Sequence, residues 1–230
     1  MFDCKPVSTP FAAHFKLQAD SSPKSEEDIE RMYTIPYTSA VGSLMYVMVC
    51  TRPDLAFALS MVSRYMYNSG KDHWNAVKWI LCYVKGSFDI GLVFDKAKAS
   101  SYDVIGFVDS DYGGDLDRTR SISGYNSSLC SGAISWKAQL QSIAALSSTE
   151  AEYIVATEAK VLLILPRQIL IARRPSILAL NTTLSEILFV AGEIVVKKFH
   201  TSENSADMFT KPLAITKFKH CLDLVGVLYA

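Results

Sequence analysis

No Cys-x-x-Cys pair and no Cys/His spacing suited to zinc occurs in this 230-residue chain. Its five cysteines, Cys4, Cys50, Cys82, Cys130 and Cys221, are odd in number and widely scattered. Structural zinc is therefore not expected, and a reducing, intracellular compartment (cytoplasmic or nuclear) fits best. An excess of one charge is also missing, since 23 basic and 23 acidic residues give a formal net charge of zero. Without a global basic field, any nucleic-acid binding must use a local patch. The N-terminus has no charged stretch leading into an apolar core, so a secretory signal is not expected. Long hydrophobic runs are absent as well. The uncharged stretch Tyr33 to Thr51 contains Pro36 and several hydroxyl residues. It reads as a helix with its lead-in rather than a membrane span. What remains is ordinary globular composition, half hydrophobic and one fifth charged, at a length that suits one or two domains.

The chain divides by pattern. Residues 1–32 read as a polar, loop-like lead-in with a mobile Ser/Lys/Glu-rich run at Ser21–Glu30. Residues 33–95 read as mainly helical. One helix covers 38–50, and a second starts at Thr51, Pro53 and Asp54 and runs to about Asn68. A third is capped by Asp72 and ended by Gly86, and a strand follows at Asp89–Phe94. His73, beside Trp74, reads as a helix-surface residue. Residues 100–215 change character. "DVIGFVDSD" has apolar residues on both faces, as a central strand requires, and it ends in Asp109 and Asp111. "SISGYNSSLCSGAISWKA" reads as two strands around a Ser131-Gly132 turn. "GEIVVKKFHT" gives another strand, and a closing helix starts near Asn204 with Asp207 in its first turns. Residues 216–230 form a tail. The fold class is α/β: a mixed sheet flanked by helices, preceded by a helical segment.

"ALSSTEAEY" carries the clearest helix start. Either Ser147 with Glu150 or Thr149 with Glu152 fits the capping box ahead of an apolar run. From Glu152, the residues at helical spacing are Val155, Ala156 and Ala159, so this carboxylate falls on the apolar stripe. Glu150 and Glu158 fall on the wetter side. A buried carboxylate without a partner costs several kcal/mol or shifts its pKa. Glu152 is thus either a first-turn residue that suits the helix dipole or part of a charged site. An Asp ending a central strand, a Glu on a following helix and an Asp on a later one converge favourably only around a cation. Hard oxygen ligands suit Mg²⁺, and two such ions would serve phosphodiester cleavage. The bland alternative is three unrelated caps and turns.

The run "VDSDYGGDLDRTRSISGYNSSLCSGAISWKAQLQSIAALSSTEAEY" resembles the ribonuclease H domain of copia-type LTR retrotransposon Pol polyproteins. "SGY", "ISW" and "LSSTEAEY" carry that likeness in order, and "HTSENSADMFTKPL" resembles the same domain's last motif. Upstream, "YTSAVGSLMYVMVCTRPDLAFALSMVSRYM" and "HWNAVKWILCYVKGS" resemble the thumb and connection region that follows a reverse-transcriptase palm. The resemblance implies an RNase H-like sheet acting on RNA–DNA hybrids with two Mg²⁺ or Mn²⁺ ions. It places the metal-binding, catalytic acids on Asp109 (or, in a second register, Asp111), Glu152 and Asp207. Trp136 and Lys137, near the hairpin, read first as structural.

The sequence departs from that pattern in two ways. The family's Cys-Asp-Asn-like strand supplies a further acid, yet here no Asp occurs between Asp117 and Asp207. Residues 163–190 resemble nothing in the family and carry Glu186 as their one acid. A reading-frame change restored near Gly192 would produce such a stretch. Pro166 and Pro175 should break any long helix there, so poor packing is expected. The Tyr-x-Asp-Asp polymerase motif is also absent, which excludes DNA synthesis by these residues. The expectation is therefore a degenerate RNase H-like domain. One alternative is an active enzyme with Glu186 as substitute ligand. Another is a non-catalytic nucleic-acid binder using Lys160, Arg167, Arg173 and Arg174.

Overall fold

The computed structural model describes residues 4–95, 104–169, 176–180, 194–198 and 200–229. Its first part is helical: α1 (Glu26–Tyr33), α2 (Tyr37–Thr51), α3 (Ala56–Ser63) and α4 (Lys71–Gly86). The run expected to be mobile contains the start of α1, because Ser25 Oγ accepts the Asp28 N–H at 3.2 Å and caps the helix. Between α2 and α3, Pro53–Leu55 forms a short 3-10 turn. A brief strand, β1 (Ile90–Leu92), pairs antiparallel with β7 (Val227–Tyr229). Residues of the expected C-terminal tail thus form α6 (Ile215–Leu224) and β7.

The second part is a five-stranded mixed sheet in the order β4-β3-β2-β5-β6. It comprises β2 (Ile105–Ser110), β3 (Ile122–Leu129), β4 (Gly132–Leu140), β5 (Ser176–Leu180) and β6 (Ile194–Lys198). β3 pairs antiparallel with β2 and with β4, while β5 pairs in parallel with β2 and with β6. β2 is central, as its two apolar faces required. The parallel connection from β3 and β4 passes through α5 (Ser148–Ile169), which packs on β2 and β3 with Ala151, Val155, Ala156 and Ala159 buried. Helices and sheet share one apolar cluster, running from Leu55, Leu59 and Ile80 to Ile122, Phe209 and Phe218.

Three local expectations are corrected. The β3–β4 turn lies at Cys130 and Ser131, which take φ of 50° and 62°, the double positive φ of a type I′ turn. Gly132 is needed one step later, in β4, because a Cβ there would stand 2.6 Å from the Phe94 ring. α5 runs past Pro166 to Ile169, so Pro166 does not end the helix; β5 falls within 163–190, a stretch whose side-chain packing lies outside the described residues. Backbone pairing to β2 and β6 gives that segment a place that its side-chain pattern did not reveal. Residues 170–175 and 181–193, with Arg173, Arg174 and Glu186, lie outside the described residues, as do the side chains of Lys160 and Arg167.

The third correction is His73, which is fully buried rather than on a helix surface. Phe11 and Leu17 of the lead-in are buried too, and this segment covers the start of α4. His73 Nδ1 accepts the Gly70 N–H at 2.9 Å, Nε2 lies 3.0 Å from the Gln18 carbonyl, and the ring stacks on Tyr65 at 3.9 Å. Burial lowers its pKa, against the opposing pull of the Gln18 carbonyl, Asp72 and Asp117. A histidine kept neutral in the fold contributes stability above its usual pKa of about 6.5, and that stability falls as pH drops toward the depressed value. Urea denaturation should therefore show stability declining below about pH 6.5, by at most about 1.4 kcal/mol per pH unit. His73→Phe should flatten this dependence while lowering stability at neutral pH. An unchanged pH slope in that variant would contradict the assignment.

Candidate acidic site

Asp109 occupies the end of β2, beside Gly124 of β3 in the sheet register. A 3-10 turn, Ser205–Phe209, lies across these two strands and carries Asp207. Asn204 starts the turn. Its Oδ1 accepts the Ala206 N–H at 3.0 Å, and its Nδ2 donates to the Val108 carbonyl at 3.0 Å. Ser205 Oγ donates to Asn126 Oδ1 at 2.9 Å. Gly124 makes the close approach possible, since a Cβ there would lie 2.6 Å from Thr210 Cγ2 and 2.8 Å from Phe209 Cβ. The glycine of "SGY" therefore sets how near Asp207 comes to Asp109. The expected closing helix begins later, as α6, after Pro212.

The two aspartates meet on one cation. Lys211 Nζ lies 3.2 Å from Asp109 Oδ2 and 2.9 Å from Asp207 Oδ1. Lys217 Nζ adds a second positive charge 3.6 Å from Asp207 Oδ2. Thr210 Oγ1 also donates to Asp109 Oδ2. Both aspartates are only 5% exposed. Burial raises the Asp207 pKa, and Asp109 nearby adds to this, while Lys211 and Lys217 oppose it. For Lys211, burial works to lower the pKa, but the two carboxylates override it and the net shift is upward.

The other acids of "VDSDYGGDLD" do different work. Asp111 Oδ1 accepts the Ile122 N–H, and burial pushes its pKa up to about 6, with the Ile122 contact opposing and Asp109 assisting. Asp115 pairs with Arg64 at 2.8 Å. Asp117 receives the Ala19 N–H at 2.8 Å and the Tyr65 hydroxyl at 3.0 Å. Asp115 and Asp117 thus fasten the sheet to the helical part.

On α5 the structure chooses between the two capping boxes. Ser147 Oγ accepts the Glu150 N–H at 3.1 Å, and Glu150 Oε2 accepts the Leu146 N–H at 2.6 Å. Glu152 is left half-buried, next to the buried Ala151 and Val155 stripe. Glu158 is less wet than expected, with Oε2 buried and lacking a hydrogen-bond partner. Sequence reasoning missed Gln141, which is fully buried. Its Nε2 donates to Ser110 Oγ at 3.3 Å, Ser123 Oγ at 3.2 Å and the Ala151 carbonyl at 2.9 Å, fixing the start of α5 against β2 and β3. This setting has no local sequence signal.

A two-ion centre needs bridging and terminal carboxylates. Among the described residues, no group of three or more Asp, Glu, His or Cys could hold a metal ion. Asp109 and Asp207 converge, but Glu152 does not complete such a group with them. β5, the strand paired to that of Asp109, reads Ser-Ile-Leu-Ala-Leu and brings no acid. The described donors therefore do not fit the two-ion centre. A cleft of about 390 Å³, lined by Met48, Leu59, Trp136 and Lys137 among others, lies apart from these acids. Trp136 packs against the core cluster.

No family model matches the chain, and no solved structure matches it. Curated relatives do. The chain is 39% identical over 254 residues, 99% of its length, to the retrovirus-related Pol polyprotein from transposon TNT 1-94 of Nicotiana tabacum, and covers 19% of that protein. It is 30% identical over 255 residues, again 99% of its length, to the retrovirus-related Pol polyprotein from transposon RE1 of Arabidopsis thaliana, and covers 17% of it. It is also 42% identical over 128 residues, 56% of its length, to secreted RxLR effector protein 161 of Plasmopara viticola, and covers 89% of that protein. The chain belongs to the retrovirus-related Pol polyproteins of copia-type retrotransposons and corresponds to part of one. It spans about a fifth of the length of the transposon relatives. Those two alignments exceed the 230 residues of the chain, so both relatives carry residues with no counterpart here. Among the described residues, no helix is long and apolar enough to cross a membrane.

Proposed function

We propose that this chain is a degenerate RNase H-like domain, preceded by a helical remnant of a reverse-transcriptase thumb and connection. Its ancestor cut the RNA strand of RNA–DNA hybrids inside the cell, and this chain cuts them very weakly or not at all. Asp109, Glu152 and Asp207 are the surviving members of the ancestral acid set. The mixed sheet with Asp109 at the end of its central strand, and Asp207 brought beside it, supports the RNase H-like reading. The observation that carries the loss of activity is β5, which lies beside the Asp109 strand with no carboxylate.

The physical argument is one of ligand number and alignment. Fewer carboxylates hold a hard cation more weakly, and a misplacement of about 1 Å can cost on the order of 10²-fold in rate. In a cleavage assay with Mg²⁺ or Mn²⁺ and a labelled RNA–DNA hybrid, the wild type should show little or no product. Glu152→Gln and Glu186→Gln, run beside it, should be indistinguishable from the wild type. Robust metal-dependent cleavage by the wild type, abolished by Glu152→Gln, would overturn the proposal. Additional loss in Glu186→Gln would then identify the substitute ligand. Salt-dependent hybrid binding without cleavage would leave a nucleic-acid-binding role for the inactive domain.

A further inference from the structure

We propose that Lys211 is an internal counter-ion that competes with divalent cations for Asp109 and Asp207, so that removing its charge opens a cation site between them. The inference rests on the reading of these acids as surviving members of a metal-binding set. One ammonium lies 3.2 Å from Asp109 Oδ2 and 2.9 Å from Asp207 Oδ1, in the space that a cation shared by the two acids would occupy. Mg²⁺ requires oxygen contacts of about 2.0–2.1 Å and keeps several waters, so ion and ammonium cannot share that space. The two carboxylates already face two ammonium groups, with Lys217 Nζ 3.6 Å from Asp207 Oδ2. A divalent ion arriving from solvent meets a neutralised pair rather than two free negative charges.

Two details favour displacement over a permanent seal. The Lys211 side chain is 44% exposed, and its flexible four-carbon stem lets the ammonium leave toward water. Asp207 Oδ1 is buried, and its near partner is the Lys211 ammonium of the 2.9 Å ion pair, with no further hydrogen bond to it. Buried polar atoms are ordinarily partnered. This oxygen is well placed to accept a closer cation once the ammonium is gone.

The test is Mn²⁺ binding by the full chain, followed by electron paramagnetic resonance of free Mn²⁺ and by thermal melts in Mn²⁺ and in EDTA. Lys211→Gln should bind Mn²⁺ more tightly than the wild type by about tenfold or more, since a unit positive charge a few ångströms away is removed, and its melting temperature should rise more on adding Mn²⁺. Lys211→Arg, which keeps the charge, should bind as weakly as the wild type. Adding Asp109→Asn to Lys211→Gln should remove the gain. A Lys211→Gln chain that folds only with Mn²⁺ would also support the proposal. Equal Mn²⁺ affinity in the wild type and Lys211→Gln would overturn it, as would a Lys211→Gln chain unfolded in both media. Neither result depends on hybrid cleavage, so this inference and the loss of nuclease activity fail or stand separately.

Discussion

Replacing Arg52 by methionine is expected to lower unfolding free energy by about 3–5 kcal/mol, the usual result of removing one partner from a buried ion pair. Arg52 and Asp54 are 4% and 1% exposed, at the joint between α2 and α3. The guanidinium reaches Asp54 through Nε at 3.0 Å and NH2 at 2.8 Å, and it also donates to the Ser87 carbonyl and Oγ, each at 2.8 Å. Tyr83 OH donates to Asp54 Oδ2 at 2.7 Å, and its ring lies 5.5 Å beneath the guanidinium carbon. Nothing in this arrangement is left to water, so Arg52→Met strands the Asp54 carboxylate in the core. The double variant Arg52→Met/Asp54→Leu should recover much of the loss, because an apolar pair removes the stranded charge. Urea melts of the two singles and the double give the coupling energy. A loss below about 1 kcal/mol in Arg52→Met would place the pair in the energetic range of solvent-exposed bridges.

Phe209→Ala is expected to cost a comparable 3–5 kcal/mol, the range for large aromatic truncations in a core. Phe209 is fully buried and belongs to the cluster that joins helices and sheet. It also ends the 3-10 turn that holds Asp207, in contact with the space kept open by Gly124. The cavity should therefore loosen the acidic site as well as the core. Amide exchange should rise most at Ala206–Thr210, whose backbone is pinned by Asn204 and packed on β2 and β3. Phe209→Leu, which refills part of the volume, should restore most of the protection. A loss below about 1 kcal/mol, or exchange unchanged in this segment, would show that the turn is anchored by its polar contacts alone.

Much of the secondary structure was legible because its signals are local. Alternation and apolar content placed β2 and its neighbours, and Ser and Glu three residues apart placed the start of α5. A single buried stripe put Glu152 beside Val155 and Ala156. Two of the differences concern partners supplied from far along the chain. His73 reads as a surface residue until the segment around Gln18 covers it. Residues 176–180 read as patternless until β2 and β6 supply parallel backbone partners.

By itself, the sequence determined membership in the copia-type Pol family, the α/β class and the lack of an Asp between Asp117 and Asp207. These are properties of residue identity and short-range spacing. The tertiary structure alone decided that Asp109 and Asp207 meet, and that they meet on Lys211. Spacing of four residues brings Lys211 to Asp207, but nothing local brings either to Asp109. That contact depends on Asn204 holding the Val108 carbonyl and on Gly124 leaving room for Phe209 and Thr210. The cation between the two acids is therefore set by how one turn docks on the sheet, because charges from separate elements interact only at the distance that packing imposes.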